Sequence, residues 1–378
     1  MGRLLMPQSK SESARPALLD NLASDNLLYH CDNLICIRDL KERGFTNKLE
    51  LVYIDPPFQT GMRYYYRSKN RIRPAFEDVW KSEEYFEMLE SRLHKIRELI
   101  SPSGSIFVHL DWHALHYAKV MMDRIFGIKN FRNEIIVKRG RRKNLQYQFS
   151  YIDRMHNAYD SILWYSKTES AKYSPPLIES YSEARWMGFW SNIDRPTMRY
   201  SILGYTPERG QWKWSKDRAL EAIKNYEVFM DKFSSSMSLE DYWNLTGRSK
   251  EFIRKRDGVK YAEYWIPPKT HKILDNVWLD IEGYNYSTGY GTEKHKDLLG
   301  RIVSQFSKPG DLVADFFCGS GTTLVVAEKL GRRWIGCDSS LRAIFATRKR
   351  LANASYSMIE AYNARKRKPR FITILPER

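Results

Sequence analysis

Short apolar runs alternate along the chain with longer segments whose apolar residues recur every three or four positions. The run Leu49–Ile54 has the length of a buried strand, whereas residues 82–100 show helical spacing, which Pro102 and Gly104 should end. This alternation is typical of a doubly wound, mostly parallel α/β sheet. Further strands are predicted at 26–30, 105–110, 134–137, 161–165, 312–317 and 333–337, and further helices at 112–126, 293–306, 322–330 and 341–352.

Polar residues lie at two boundaries of these elements. Asp32 and Asn33 follow the first predicted strand, and this pair favours a turn. Asp111 directly precedes the helix predicted at 112–126, so we expect its carboxylate to cap that helix.

The alternation stops between residues 174 and 272, where Pro, Gly, Trp, Tyr and Arg are dense. We therefore predict one α/β domain that is interrupted by an insert. Most aromatic residues at the start of the insert should build a small core of its own, and one or two could contact a ligand. These residues are Tyr181, Trp186, Phe189, Trp190, Tyr200, Tyr205, Trp212 and Trp214.

The tetrapeptide Asp55-Pro56-Pro57-Phe58 follows the predicted strand Leu49–Ile54. Its acid can accept a hydrogen bond from an amino group, and its aromatic ring can stack on a planar base. The two prolines have no N–H, so the carbonyl groups around them are the groups left to offer. This set suits the exocyclic amine of a nucleobase better than a hydroxyl or a phosphate. A strand-ending turn with no chemistry is the alternative.

A glycine-rich turn, Gly319-Ser320-Gly321, lies between a predicted strand and a predicted helix. Such a turn lets the backbone approach a ligand, and the helix start offers N–H groups to an anion. No Gly-Lys-Ser/Thr ending is present, and Leu324 takes the place of the third glycine of a pyrophosphate fingerprint. A ribose-containing ligand without pyrophosphate remains, and S-adenosylmethionine fits. Asp338 is placed either to bind a ribose diol or to cap the next helix.

Together these residues resemble the amino-group DNA methyltransferases of the β class. Members of this family use S-adenosylmethionine to modify adenine N6 or cytosine N4, and their catalytic tetrapeptide precedes the cofactor loop. A target-recognition insert lies between the two motifs, which is a circular permutation of the usual methyltransferase sheet. The resemblance covers about residues 27–167 and 292–351. It departs at Phe316, where proline is frequent, and at His295, where proline commonly follows the lysine.

The resemblance implies a role for each motif. The implied catalytic residues are Asp55, Pro56, Pro57 and Phe58. The implied cofactor-binding residues are Asp32, Thr292, Lys294, Asp315, Phe317, Cys318, Gly319, Gly321, Thr322 and Asp338. The implied divisions are a loose leader (1–25), a catalytic part (26–173), a target-recognition insert (174–272), a cofactor-binding part (273–355) and a basic C-terminal tail (356–378).

The residues also narrow the type of methylation reaction. Methylation at cytosine C5 needs a cysteine nucleophile, and the chain has no Pro-Cys dipeptide. Aspartate at the first catalytic position resembles the adenine branch of the family. Methylation of adenine N6 in duplex DNA, with base flipping, is therefore the leading hypothesis. Methylation of cytosine N4, of RNA or of a protein amide remains an alternative, and a non-catalytic DNA-binding module is a third.

The charge balance favours a polyanionic partner, because 62 Lys and Arg stand against 45 Asp and Glu, a net charge of +17. Phosphate contacts are expected from basic clusters at 132–154 and 248–260 and from the insert. The residues chosen as DNA contacts are Arg139, Arg141, Arg142, Lys143, Arg185, Arg195 and Arg199.

Other partners and the compartment follow from composition and resemblance. No apolar run is long enough to span a bilayer, and no secretory signal is recognisable, so a cytoplasmic protein is expected. The four cysteines are too scattered for a disulfide framework and lack zinc-site spacing, so we expect reduced thiols and no metal. Family members often dimerise, and any DNA cleavage would belong to a separate restriction endonuclease subunit.

Overall fold

The structure is a computed structural model that describes residues 26–57, 63–68, 71–77, 82–139, 151, 155, 157–174, 176–255, 258, 261–284, 293–359 and 370–373. The strands among them are β1 (Leu27–His30), β2 (Leu49–Ile54), β3 (Arg63–Ser68), β4 (Arg71–Glu77), β5 (Ile100–Leu110), β6 (Phe131–Lys138), β7 (Tyr159–Ser166), β8 (Leu177–Ser182), β9 (Arg185–Gly188), β10 (Trp190–Ser191), β11 (Gln211–Trp212), β12 (Ile253–Arg254), β13 (Glu263–Ile266), β14 (Lys269–Ile273), β15 (Val277–Glu282), β16 (Leu312–Asp315), β17 (Arg333–Asp338) and β18 (Arg370–Thr373). The α-helices are α1 (Asn33–Glu42), α2 (Ser82–Leu99), α3 (Leu115–Phe126), α4 (Lys216–Lys232), α5 (Leu239–Leu245), α6 (Lys296–Phe306), α7 (Thr322–Lys329) and α8 (Leu341–Ile359).

A nine-stranded sheet carries the fold in the order β15-β6-β7-β5-β2-β16-β17-β1-β18. Strand β7 runs antiparallel to both of its neighbours, β5 and β6, and the remaining neighbours are parallel. The predicted doubly wound, mostly parallel α/β fold is therefore confirmed. Strand β16 lies between β2 and β17, so loops that are far apart in sequence leave the sheet side by side.

The predicted apolar stripe of helix α2 is buried against the sheet. Tyr85, Leu89, Leu93 and Ile96 all have side chains with no exposed surface, and Ile100 continues the stripe into β5. Each such side chain contributes on the order of 1.5–3 kcal/mol of transfer free energy, as an upper bound. This packing holds β2 and β5 firmly beneath the loops at their carboxyl ends.

The turn predicted at Asp32 and Asn33 is wrong, because helix α1 begins there. Oδ1 of Asp32 accepts a hydrogen bond of 2.8 Å from the N–H of Leu34, so the acid acts as the N-cap. The helix is only ten residues long, and its buried stripe consists of Asn33, Cys36, Ile37 and Leu40. Asp and Asn side chains form hydrogen bonds with nearby backbone N–H groups, which favours both turns and helix N-caps. The polar residue Asn33 also interrupts the apolar pattern of the stripe, so the helical period was weak.

Strand β5 begins five residues earlier than predicted and runs through Pro102 and Gly104. A Cβ at Gly104 would lie 2.6 Å from the carbonyl oxygen of Leu49, so the glycine permits close approach of β2. The cap predicted for α3 is also wrong. Asp111 accepts from the N–H of His113 at 3.0 Å, and the helix begins only at Leu115.

Residues Pro175–Leu274 form a compact unit of their own, close to the predicted insert at 174–272. Its short strands and helices α4 and α5 surround two aromatic clusters. Phe189 and Trp212 are fully buried at the centre of one cluster, and Phe252 at the centre of the other. The predicted aromatic core is confirmed, with Tyr181 as an exception because 77% of its surface is exposed.

The C-terminal region extends beyond the predicted last helix. Helix α8 continues to Ile359 rather than ending at 352, and β18 adds a parallel strand beside β1. Among the residues described above, no helix is both long and apolar enough to cross a lipid bilayer.

Candidate active site at the carboxyl edge of the sheet

The tetrapeptide and the glycine-rich turn leave neighbouring strands at one edge of the sheet. Strands β2 and β16 pair in parallel, with Leu51 opposite Val313 and Val52 opposite Ala314. The segment starting at Asp55 follows β2 directly, and the turn follows β16 directly. The fold therefore brings two predicted motifs together that are separated by about 260 residues in the sequence.

Asp55 forms an ion pair with Lys294. Its Oδ1 atom lies 2.7 Å from Nζ of Lys294, and the two side chains are 17% and 5% exposed. The ammonium group also lies 4.4 Å from the ring centre of Tyr284. Pro56 is buried and Pro57 is half-buried, so the chain after Asp55 is held against the edge of the sheet.

A buried polar network lies under this ion pair. The hydroxyl of Tyr53 is 2.8 Å from Nδ1 of His109, whose Nε2 is 3.5 Å from Oδ2 of Asp160. Nε of Arg139 lies 2.9 Å from Oδ1 of the same carboxylate. Burial would raise the pKa of Asp160, but the hydrogen bond with His109 and the charge of Arg139 lower it. Burial, followed by the charge of Lys294, lowers the pKa of His109, so the imidazole is neutral at pH 7.

Asp315 organises the start of the loop after β16. Its Oδ1 accepts from the N–H of Phe317 at 3.0 Å, and its Oδ2 accepts from the hydroxyl of Thr323 at 2.6 Å. Burial raises the pKa of Asp315 to about 7, and the negative charges of Asp55 and Asp338 act in the same direction. Asp315 is only 3% exposed. It therefore stabilises the turn through these internal hydrogen bonds and not from the surface.

Two glycines, one in the turn and one in β17, permit close packing around the turn. Gly321 has a φ of +77°, and a Cβ there would lie 2.5 Å from the hydroxyl oxygen of Thr347. Leu324 is fully buried, and its Cδ1 atom would lie 2.2 Å from a Cβ on Gly336. Close packing of helix α7 on the sheet is thus obtained with a glycine in β17 instead of a third glycine in the turn.

Arg350 holds the turn from helix α8, a role that its place in the sequence does not indicate. Its Nη1 donates to the carbonyl and hydroxyl oxygens of Ser320 at 3.0 and 2.9 Å, and to the hydroxyl of Thr322 at 2.9 Å. Its Nη2 lies 3.2 Å from Oε1 of the buried Glu293. One guanidinium group therefore links the glycine-rich turn to the residue before Lys294. Its place in a run of three basic residues resembled a solvated helix face, which concealed this role.

Asp32 and Asn33 lie at the neighbouring strand end, after β1. Oδ2 of Asp32 pairs with Arg92 at 2.8 Å, and Asn33 accepts from the same guanidinium group. The side-chain amide of Asn33 donates to the carbonyl oxygen of Phe316 at 3.3 Å. Asn33 therefore fixes the backbone at the position where proline is frequent in the family.

His295, the second departure from the family pattern, caps helix α6. Its Nδ1 atom accepts from the N–H of Asp297 at 3.3 Å. Imidazole thus supplies a hydrogen bond that proline lacks.

The implied cofactor residues in the described part of the chain gather at this edge of the sheet. They lie at the ends of β1, β16 and β17 and in the segment before α6. Cys318 is buried, and burial raises its pKa, so it is an unreactive thiol. Several of the predicted site residues lie outside the described residues, namely Phe58, Thr292, Arg141, Arg142 and Lys143.

The predicted DNA contacts differ in their surroundings. Arg185 and Arg195 are exposed on the inserted unit. Arg199 is 23% exposed, pairs with Asp194 and donates to the carbonyl oxygen of Gly210 at 2.9 Å. Arg139 is 24% exposed and belongs to the buried network, which gives it a structural role that the sequence did not indicate. DNA binding by these residues stays a prediction.

Comparison with known families identifies the class of enzyme to which the chain belongs. Residues 49–349 match the family model for N6 and N4 DNA methylases. The chain therefore belongs to the N6/N4 DNA methylase family, which confirms the resemblance found in the sequence.

This chain resembles two known relatives and one solved structure. The chain is 31% identical over 346 residues to the type II methyltransferase M.EcaI of Enterobacter cloacae, an alignment that covers 88% of this chain and 70% of that protein. It is 24% identical over 380 residues to the probable type III restriction-modification enzyme HindVI Mod subunit of Haemophilus influenzae, covering 84% of this chain and 49% of that protein. The crystal structure of the M1.HpyAVI–SAM complex matches with 16% identity and a TM-score of 0.45, covering 86% of this chain and 98% of that one.

Proposed function

We propose that this chain transfers a methyl group from S-adenosylmethionine to the N6 amino group of adenine in duplex DNA. The observation that carries the proposal is the parallel pairing of β2 with β16, which sets Asp55 beside the turn at Gly319 and Gly321. The proposed amine acceptor and the proposed cofactor loop therefore lie at one edge of the sheet. The family membership supplies the reaction class, and aspartate at the first catalytic position favours adenine by analogy.

The chemistry of the residues at this edge fits S-adenosylmethionine. The carboxylates of Asp32 and Asp338 offer acceptors for the hydroxyl and amino groups of an adenosine. Helix α7 begins after Gly321 without a side-chain cap, so N–H groups of its first turn are available to a carboxylate. Bound S-adenosylmethionine would supply an electrophilic methyl group on a cationic sulfur.

The protein's part in the reaction is to prepare the amino nitrogen of the base. That nitrogen is a weak nucleophile because its lone pair is delocalised into the ring. One N–H of the amino group donates a hydrogen bond to the carboxylate of Asp55 and the other to the carbonyl oxygen of Pro56, which favours a tetrahedral nitrogen with a directed lone pair. Catalysis is then mostly positioning and electrostatic stabilisation. The base has to leave the duplex to reach Asp55.

The proposal is tested by modification-aware sequencing of DNA from cells that lack other DNA methylases and express this chain. We expect N6-methyladenine within one sequence context. N4-methylcytosine would instead support the alternative that the family name also covers. Tritium transfer to duplex DNA, RNA and protein in parallel distinguishes the substrate classes, and labelling of RNA or protein alone would overturn the proposal.

A restriction partner is a further part of the proposal. HindVI Mod is described as a subunit of a restriction-modification enzyme. We propose by analogy that any endonuclease acting with this chain is a separate polypeptide. Affinity purification of the chain from its native host, followed by mass spectrometry, tests for such a subunit and for self-association.

A further inference from the structure

We propose that Lys294 is a positioning residue that fixes the carboxylate of Asp55, and that it does not act mainly as a ligand of the methyl donor. The inference rests on the proposed function of Asp55. It departs from the family resemblance, which implies that Lys294 binds the cofactor.

The ion pair is short and almost completely covered. Nζ of Lys294 lies 2.7 Å from Oδ1 of Asp55, and only 5% of the lysine side chain is exposed. A buried ammonium group costs several kcal/mol in lost hydration unless a carboxylate compensates it. An exposed surface pair would be worth little, whereas this covered pair sets the geometry of both partners.

The backbone of Lys294 is held on two sides, which fixes the origin of its side chain. It forms an antiparallel bridge with Tyr284, and the N–H of His295 donates to the carbonyl oxygen of Gly283 at 3.0 Å. The hydroxyl of Thr322 donates to the carbonyl oxygen of Lys294 at 3.4 Å. The lysine is therefore anchored to the cofactor turn while its ammonium group reaches the catalytic acid.

The surrounding charges explain why a cation is needed at this point. Asp160 and Asp315 are buried near Asp55. Arg139 pairs with Asp160, and His109 is neutral because burial and the charge of Lys294 lower its pKa. Lys294 therefore supplies the positive charge beside the catalytic acid. Lys294 holds Oδ1, and in the proposed reaction the other oxygen of Asp55 accepts a hydrogen bond from the substrate amine.

The test compares Lys294→Met with Lys294→Arg and with a matched control, Lys296→Met, which changes an exposed lysine two residues later. Methyl transfer to duplex DNA is measured at saturating S-adenosylmethionine, and the Kd for S-adenosylmethionine is measured by calorimetry. We expect Lys294→Met to lower kcat about 100-fold while the Kd changes less than about threefold, since misplacement of a reacting group acts on the chemical step. The kcat of Lys294→Arg should be at least about tenfold higher than that of Lys294→Met, because arginine restores the positive charge.

The outcomes separate the two hypotheses. A Kd that weakens in parallel with, or instead of, the loss in kcat would show that Lys294 binds the cofactor and would overturn the inference. If Lys294→Met does not fold, Lys294→Gln replaces it, because its amide can still donate to Asp55, and we expect an activity between those of the Arg variant and an inactive enzyme. Wild-type protein that methylates no DNA would refute the proposed function. An active wild type with an equally active Lys294→Met variant would refute only the positioning role.

Discussion

The backbone N–H of Gly319 donates a hydrogen bond of 2.9 Å to Oδ2 of Asp338. The N–H of Ser340 donates to Oδ1 of the same carboxylate at 2.8 Å. Asp338 therefore ties the glycine-rich turn after β16 to the start of the segment after β17. The sequence left two roles open for Asp338. Its carboxylate binds the turn before helix α8, which begins at Leu341 with Ser340 in the cap position, so Asp338 is not the helix cap, and ribose binding stays a prediction.

Replacing Asp338 by Asn should impair both the fold and cofactor binding. An amide has one acceptor oxygen, so one of the two N–H groups loses its partner at a cost of about 1–3 kcal/mol. We expect a lower Tm and a Kd for S-adenosylmethionine weakened at least about tenfold, which corresponds to 1.4 kcal/mol. Calorimetry checks both values, with Ser339→Ala as the control at the neighbouring exposed position. An unchanged Kd would show that Asp338 serves the fold alone.

Gly321→Ala should destabilise the protein more than Gly331→Ala. Both glycines have positive φ, +77° and +73°, so both substitutions carry a backbone cost of about 1–2 kcal/mol. Only at Gly321 would the new Cβ collide with Thr347, whereas at Gly331 the nearest atom is 4.0 Å away. The collision adds about 1–3 kcal/mol. Denaturant titration of both variants measures the difference, and equal losses would show that the turn can move away from Thr347.

Arg350→Met should weaken binding of S-adenosylmethionine about tenfold or more, because the turn loses three hydrogen bonds from Nη1 and buried Glu293 loses its ion pair with Arg350. Lys349→Met is the matched control, since Lys349 is exposed on the same helix. Equilibrium binding of the cofactor is the measurement. Equal affinities for the two variants would mean that the turn keeps its shape without the guanidinium group.

Asp315 should make the stability of the protein fall as pH rises. Burial raises the pKa of Asp315 from its ordinary value of 3.8 to about 7 in the folded state. The folded state then binds more protons than the unfolded state between these values, so the free energy of unfolding decreases with pH across this window. A shift of this size corresponds to about 4 kcal/mol.

The matching variant isolates this effect. The side chain of Asp315→Asn cannot ionise. The free energy of unfolding of the variant minus that of wild type should therefore rise by up to about 4 kcal/mol as the pH increases from 4 to 8. Denaturant titrations of both proteins across this range give the difference directly. A difference that does not vary with pH would show that Asp315 ionises normally in the fold.

Elements with a clear period could be predicted from the sequence, whereas elements without one could not. Helix α2 and strand β2 follow their apolar patterns, and both occur where expected. Helix α1 is short and has Asn33 in its buried stripe, so its period was weak. Strand β18 follows a basic segment and gains its place by pairing with β1, which local pattern does not reveal.

The residues of the site also fall into those that the sequence reveals and those that it does not. Asp55 and the turn at Gly319 could be found because each follows a strand with a distinctive local motif. Arg350 and His109 could not, because their roles depend on partners far away in sequence, such as Ser320 and Asp160. The charge of Arg139 suggested DNA contact, but only the fold shows its pairing with a buried carboxylate.

In the proposed reaction, the carboxylate of Asp55 accepts a hydrogen bond from the amino group of a base during methyl transfer. The most direct measurement is transfer of labelled methyl from S-adenosylmethionine to duplex DNA by wild type and Asp55→Asn, with mass spectrometry of the nucleosides and the Kd for S-adenosylmethionine as a folding control. Removing a group that stabilises the reacting centre costs about 10²–10³ in kcat. We therefore predict N6-methyladenine from wild type and a loss of at least that size in Asp55→Asn at unchanged cofactor affinity. Asp55→Asn that methylates DNA at the wild-type rate would contradict the account.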